Sequence, residues 1–246
     1  MRNEGIPLET ITPKYHRILL KISGEALAGE KKTGLDFNMI AQVCDAIQEC
    51  RELGVQVGVV IGGGNFWRGA KDGGGYMERS RADHMGMLAT VMNCLAVSDV
   101  MEQKDIPVRV QTATEMRAFA ETYTRQRAVK HLEEGKVVLF AGGTGCPYFS
   151  TDTAAVLRAC EIDADAILLA KNIDGVYSAD PRVDKDAVKF DNITYDEVLA
   201  RHLAVMDSTA TSLAMDNHLP VFVFALSEPE NILRAVTGQA VGTLVE

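Results

Sequence analysis

The chain has 246 residues, 47% of them hydrophobic, and a formal net charge of -9. That length and composition suit one large α/β domain with a substantial core, and the negative charge excludes a broad nucleic-acid surface while leaving room for a locally basic nucleotide pocket. The N-terminus MRNEGIPLETITPKYH has no apolar signal core, no stretch reads as a membrane span, and the five cysteines at 44, 50, 94, 146 and 160 form no C-x-x-C pair; the expectation is a cytoplasmic protein with free thiols and no membrane partner.

Residues 1–14 read as a flexible arm and 15–246 as a single domain. The apolar run 16–22 is the first strand and gives out at Lys21-Ile22-Ser23-Gly24-Glu25. A helix is expected over 36–53 and a second strand over 55–61, followed by Gly62-Gly63-Gly64-Asn65. The segment 69–75, GAKDGGG, reads as a loop inside one domain. A long helix over 79–103 carries HMGMLATVMNCL, whose methionines have core or interface spacing. After it come a strand at 106–110, a helix at 121–134 and a strand at 136–141, which ends at Gly142-Gly143-Thr144-Gly145. A helix over 151–161, capped by Ser150 or Thr151, leads to a strand at 165–170. Helices at 194–204 and 207–217, the second capped by Asp207 or Ser208, precede a strand at 219–225 and a helix at 229–237. This βα alternation predicts a mainly parallel sheet covered on both faces, with ligands outside the carboxyl ends of its strands.

All three glycine clusters fall at such ends, where backbone N–H groups approach an anion closely, so a pocket for several phosphates is expected. It is not a P-loop, because Gly24 to Gly29 is followed by Glu30 before Lys31; GxGxxG is broken by Trp67 and by Tyr148. Lys21 is the leading catalytic candidate, a strand-end ammonium able to neutralise a transferring phosphoryl group. Arg68 either forks onto a phosphate or is a solvated arginine. Asp83 is either a helix-start residue or an acceptor for ribose hydroxyls. In GGTGCPYFSTDTAA, Thr144, Ser150 and Thr151 supply hydroxyl donors, Asp152 caps or orients, and Cys146 reads as a buried bystander. Tyr177 and Asp180, in KNIDGVYSADPR, suit a base and a ribose or adenine edge. No metal-ligand spacing joins His84, His202 or His218 to the cysteines, and no metal ligand is assigned.

Taken in order, RILLKISGEAL, VVIGGGNFWRG, RADHMGMLATVMN, AGGTGCPYFSTDTAA, KNIDGVYSADP and VMDSTA resemble the bacterial uridylate kinases of the amino acid kinase superfamily. The resemblance implies a three-layer sandwich, with a mainly parallel sheet of about eight strands between helices, assembled as a homohexamer. It implies transfer of the γ-phosphoryl group of ATP to UMP, with Mg2+ carried on the ATP phosphates, in pyrimidine nucleotide synthesis. Lys21, Ile22, Ser23, Gly24, Gly64 and Arg68 would contact ATP, as would Lys171 or Asn172, Tyr177 and Asp180. Gly63, Asp83 and the segment Thr144, Gly145, Cys146, Pro147, Tyr148, Phe149, Ser150 and Thr151 would hold UMP, and Asp207 would organise the magnesium-bearing phosphates. A GTP-responsive region would map onto Gly29, Glu30, Lys31, Lys32, Thr33 and Gly34, and UTP would inhibit. Cys146 stands where that family commonly carries Asn, and AKNIDG and GEKKTGLD also depart from its usual patterns. The alternatives are a same-fold kinase of a carboxylate, carbamate or other phosphate, and a non-catalytic nucleotide- or oxyanion-binding protein, against which Lys21 argues.

Overall fold

The structure, a computed structural model, describes residues 12–68, 72, 73, 75–203 and 205–246. Residues 1–11 of the arm expected at 1–14, and most of the 69–75 loop, lie outside the described residues. In chain order the elements are β1 (Arg17–Ile22), the single turn α1 (Gly24–Leu27), α2 (Phe37–Glu52), β2 (Gln56–Ile61), α3 (Arg79–Gln103), β3 (Val108–Thr112), β4 (Glu121–Thr122), α4 (Arg125–Glu133) and β5 (Val137–Ala141). There follow α5 (Thr151–Glu161), β6 (Ala166–Lys171), β7 (Val176–Tyr177), β8 (Lys189–Phe190), β9 (Asn192–Ile193), α6 (Tyr195–Ala200), α7 (Ser208–Asp216), β10 (Val221–Ala225), α8 (Asn231–Val236) and β11 (Thr243–Val245).

The nine-stranded sheet runs β4-β3-β5-β2-β1-β6-β10-β11-β9, and β7 and β8 form a separate hairpin. Every pairing in the large sheet is parallel except β10 with β11. Strands β5, β2 and β1 are therefore neighbours, and the three glycine turns that follow them emerge side by side at one edge of the fold. β1 is also where chain order reverses across the sheet, the position at which open α/β sheets leave a crevice.

Alternation along the strands divides the core in two. Ile18, Leu20 and Ile22 of β1 pack with α2, α3 and α8, through residues such as Ile40, Val43, Val97 and Ile232. Leu19, with Ile167 and Leu169 of β6, packs with α4, α5 and α7, through Leu132, Val156 and Ala214. The same period places Lys21, two residues after Leu19, and Lys171, two after Leu169, on the α5 face. A buried strand that reads Leu-Leu-Lys-Ile thus delivers one charge to the helix whose N-terminus lies at the glycine turns.

Two expectations change. The helix expected at 121–134 begins at Arg125, because Glu121 and Thr122 pair with Gln111 and Thr112 as β4 and the Thr124 side chain caps the helix. The sheet exceeds about eight strands because β4, β9 and β11 are two- or three-residue strands, too short to show alternation in the sequence. By length and composition α3 resembles a membrane span. Its buried face is nevertheless committed to the sheet, with Val91, Cys94, Val97 and Met101 in the core.

Candidate active site

The glycine turns are packed against one another as well as opened toward solvent. A Cβ on Gly24 would lie 2.4 Å from Gly62 O and 2.5 Å from Asn65 Oδ1, and one on Gly63 would lie 2.7 Å from Gly86 O and 2.9 Å from the Ala89 Cβ. These approaches are shorter than any side chain tolerates, so packing alone already demands glycine here.

Helix α3 holds the turns from behind. Asp83, Gly86, Thr90 and Asn93 recur at spacings of three and four and so share one face. Gly86 admits the Gly63 turn. Thr90 Oγ1 accepts from the Gly142 N–H at 2.9 Å, fixing the third glycine turn. Asn93, fully buried, donates to Gly62 O at 2.7 Å and exchanges amide bonds of 2.8 and 2.9 Å with Asn65. Asn65 in turn donates to Gly34 O at 2.7 Å, tying the segment 29–34 to the second glycine turn. Gly86, Thr90 and Asn93 are not singled out by the sequence reading, although their spacing within RADHMGMLATVMN is the available signal.

On the α5 side, Ser150 caps the helix, its Oγ accepting from Asp152 N and Thr153 N at 2.9 and 3.1 Å. Asp152 thereby stands in the first turn, with Oδ1 2.5 Å from Lys21 Nζ. Lys21 is only 6% exposed, and the contact is an ion pair without hydrogen-bond alignment. Asp207 caps α7 by accepting from Ala210 N at 3.0 Å, and its carboxylate also receives the Ser150 and Thr153 hydroxyls. Lys171 donates to Val205 O. Burial holds the Lys171 ammonium below the usual lysine range, opposed by the charge of Asp152, reinforced by that of Lys21 and opposed again by Asp207. Lys21 and Lys171, at the ends of β1 and β6, thus share one cluster with Asp152 and Asp207, at the starts of α5 and α7.

A cleft of about 280 Å³ opens between α3 and the third glycine turn, lined by residues that include Gly63, Arg68, Asp83, Thr144, Phe149 and Thr151. A larger groove, about 1070 Å³, is lined by the second half of α3, β3 and residues 115–127, with none of the glycine turns among its residues. The smaller cleft is the one that adjoins Lys21, because Thr151 lines it and the next residue, Asp152, holds the lysine.

Residues 16–225 match the amino acid kinase family. A uridylate kinase of Limosilactobacillus reuteri is 55% identical over 234 residues, 95% of this chain and 98% of that protein. The UMP kinase of Bacillus anthracis superposes with a TM-score of 0.90 at 40% identity, covering 94% of this chain and 96% of that one. That of Ureaplasma parvum gives 0.88 at 33% identity, covering 94% and 98%. The chain belongs to the amino acid kinase family, in its uridylate kinase branch.

In this amino acid kinase, the residues expected around the acceptor are mostly brought together. Gly63, Asp83, Thr144, Cys146, Phe149, Ser150 and Thr151 line the cleft, as do Gly64 and Arg68 from the expected ATP set. Gly145, Pro147 and Tyr148 do not line it, although the Tyr148 N–H donates to Asp83 Oδ2 at 2.8 Å. Asp83 is not a helix-start residue: Glu78 caps α3 and Asp83 lies one turn inside it. Arg68 pairs with Glu25, and Trp67 Nε1 donates to Ala82 O at 2.8 Å beside the cleft. Ile22, Ser23 and Gly24 continue from Lys21 into α1, with the Ser23 side chain as its cap. Asn172 follows Lys171 at the end of β6. Tyr177 and Asp180, on and beyond β7, bond Asp174 and Arg182 and do not line the cleft. Gly29, Glu30 and Lys31 form a 3-10 turn, and Lys32, Thr33 and Gly34 complete the return to Asn65.

Cys146 is exposed at the cleft, contrary to a buried bystander. Met85 and Met92 lie on the exposed side of α3, outside the core. Burial pushes the thiols of Cys44, Cys50 and Cys94 up to about 12, so thiolate chemistry is closed to them near neutrality. Titration of the native protein with an aromatic disulfide reagent is expected to give one fast thiol, lost in Cys146→Ser, followed by slower reaction of half-buried Cys160. Rapid modification of more than these two in the folded protein would contradict the burial.

Proposed function

We infer that the chain is a nucleoside monophosphate kinase that transfers the γ-phosphoryl group of ATP to UMP, giving UDP and ADP. The observation that carries this reading is the adjacency of Thr151 and Asp152: one lines the acceptor cleft, the next pairs with Lys21. An acceptor phosphate held by Thr151 and the Gly63 turn lies beside the lysine that meets the incoming phosphoryl group.

The chemistry follows from charge. The acceptor phosphate is already anionic and needs no general base, so catalysis reduces to positioning and to offsetting charge on the transferring oxygens. Lys21 supplies a fixed cation in a site where Asp152 sets its direction, and Lys171 adds a second cation at the end of β6. Kinase activity with ATP implies a divalent ion, which we take to be Mg2+ borne on the nucleotide phosphates. The donor set suits that mode: Asp207 already receives two hydroxyls and a backbone N–H, leaving it to orient phosphate-bearing groups with Asp152. When bound, the ion would offset negative charge on the nucleotide phosphates.

On this reading ATP lies over β1 and β6, against Lys21 to Gly24, Gly64, Arg68, Lys171 or Asn172, Tyr177 and Asp180, while UMP occupies the cleft at Gly63, Asp83 and Thr144 to Thr151. The resemblance of the motifs extends the proposal to a cytoplasmic homohexameric enzyme of pyrimidine nucleotide synthesis, activated by GTP near 29–34 and inhibited by UTP, with residues 15–246 as one domain.

The test is ADP formation from magnesium-ATP with UMP, CMP, AMP, dUMP and acetylglutamate as acceptors. Selective turnover of UMP is expected. Turnover confined to acetylglutamate, or none with any acceptor, would overturn the reading.

A further inference from the structure

We propose that Arg79 is a positioning residue for the acceptor nucleotide, fixing the Asp83 carboxylate and joining it to Tyr148 beside the cleft. The inference rests on the reading of that cleft as the UMP site.

Arg79 opens α3 and lies four residues before Asp83, on the same face. Its Nε reaches Asp83 Oδ1 at 3.0 Å and Oδ2 at 2.8 Å. The Asp83 side chain is 15% exposed and that of Arg79 46%, so the carboxylate is shielded while the arginine keeps one side in water. Beside the cleft, the Tyr148 N–H donates to the same Oδ2 at 2.8 Å, and the Arg79 guanidinium sits 5.2 Å from the Tyr148 ring centroid. Tyr148 has φ of 71°, a left-handed conformation that a tyrosine seldom adopts. One arginine therefore touches both the carboxylate and the residue that closes on it. A carboxylate offers about four acceptor positions, and three contacts here leave acceptor capacity toward the cleft. Without Arg79, Asp83 keeps only the Tyr148 bond and is held less firmly, so a ribose hydroxyl meets a less well oriented acceptor.

Steady-state kinetics of the full-length enzyme test this. Arg79→Ala is expected to raise KM for UMP about tenfold while kcat stays within about threefold, the behaviour of a lost binding contact rather than a lost transition-state contact. KM for ATP is expected to stay unchanged. Arg79→Lys, which keeps the charge but not the planar fork, is expected to recover part of the loss. The deciding readout is Arg79→Ala/Asp83→Ala: if Arg79 acts through Asp83, the double variant binds UMP no more weakly than Asp83→Ala alone. Additive losses, equal increases in both KM values, or an unchanged KM for UMP in Arg79→Ala would each overturn the proposal. Absence of UMP turnover in the wild-type enzyme would instead overturn the parent reading, and this inference with it.

Discussion

Lys21→Ala is expected to lower kcat by roughly a hundredfold or more, the magnitude lost when one preorganised charge donor is removed from a shielded site. UMP binding, followed by calorimetry, should persist within a few-fold, because the lysine is outside the cleft lining and the acceptor is held by α3 and the third glycine turn. Lys21→Arg is not expected to restore turnover. The ammonium sits in a space closed by Asp152, and a planar guanidinium places its charge along a different direction. Near-normal kcat in Lys21→Ala would remove the residue from the mechanism.

Asp152→Ala should damage both stability and turnover. Lys21 is almost completely buried, and its ion pair is with Asp152. Removing the carboxylate leaves that ammonium desolvated beside Lys171, a like charge. Breaking a buried pair from one side costs about 3 kcal/mol at the lower end of its usual range, which for a chain of this size corresponds to a fall in Tm of about 10 °C. The loss should shrink in the Lys21→Ala/Asp152→Ala double variant, where no charge is stranded. Turnover should drop with the single change because Lys21 loses its direction. Thermal melts that match the wild type would show that the pair contributes nothing to stability.

The cluster also sets a pH expectation for Lys171. Its folded-state pKa lies below the ordinary lysine value, chiefly through burial. Between the two values the unfolded chain binds more protons than the folded one, so this group favours the folded state increasingly as pH rises through that alkaline window.

The sequence by itself determined the fold class and the chemistry. Short apolar strands between amphipathic segments leave few alternatives to a covered parallel sheet, and glycines at three strand ends beside Lys21 point to phosphate. Helix α3, expected at 79–103, and α5, expected at 151–161 with Ser150 or Thr151 as cap, have the expected bounds, because helical periodicity is a local signal. The small strands β4, β9 and β11 are invisible in the sequence, since two or three residues carry no period and are strands only through their pairing with other segments.

Only the tertiary structure decided which polar groups meet. Asp152 reads from sequence as a cap or an orienting group; Ser150, one of the two expected caps, takes the cap, and Asp152 reaches Lys21, which lies 131 residues earlier in sequence. Asp83 looked equally suited to a helix start, until the true cap at Glu78 placed it one turn inside, between Arg79 and Tyr148. Thr90 and Asn93 read as ordinary helix residues, yet they hold the two glycine turns that follow β5 and β2. Sequence spacing specifies which side chains share a face of one element. Strand order and register specify which faces confront each other, and those depend on contacts between distant segments that no local pattern records.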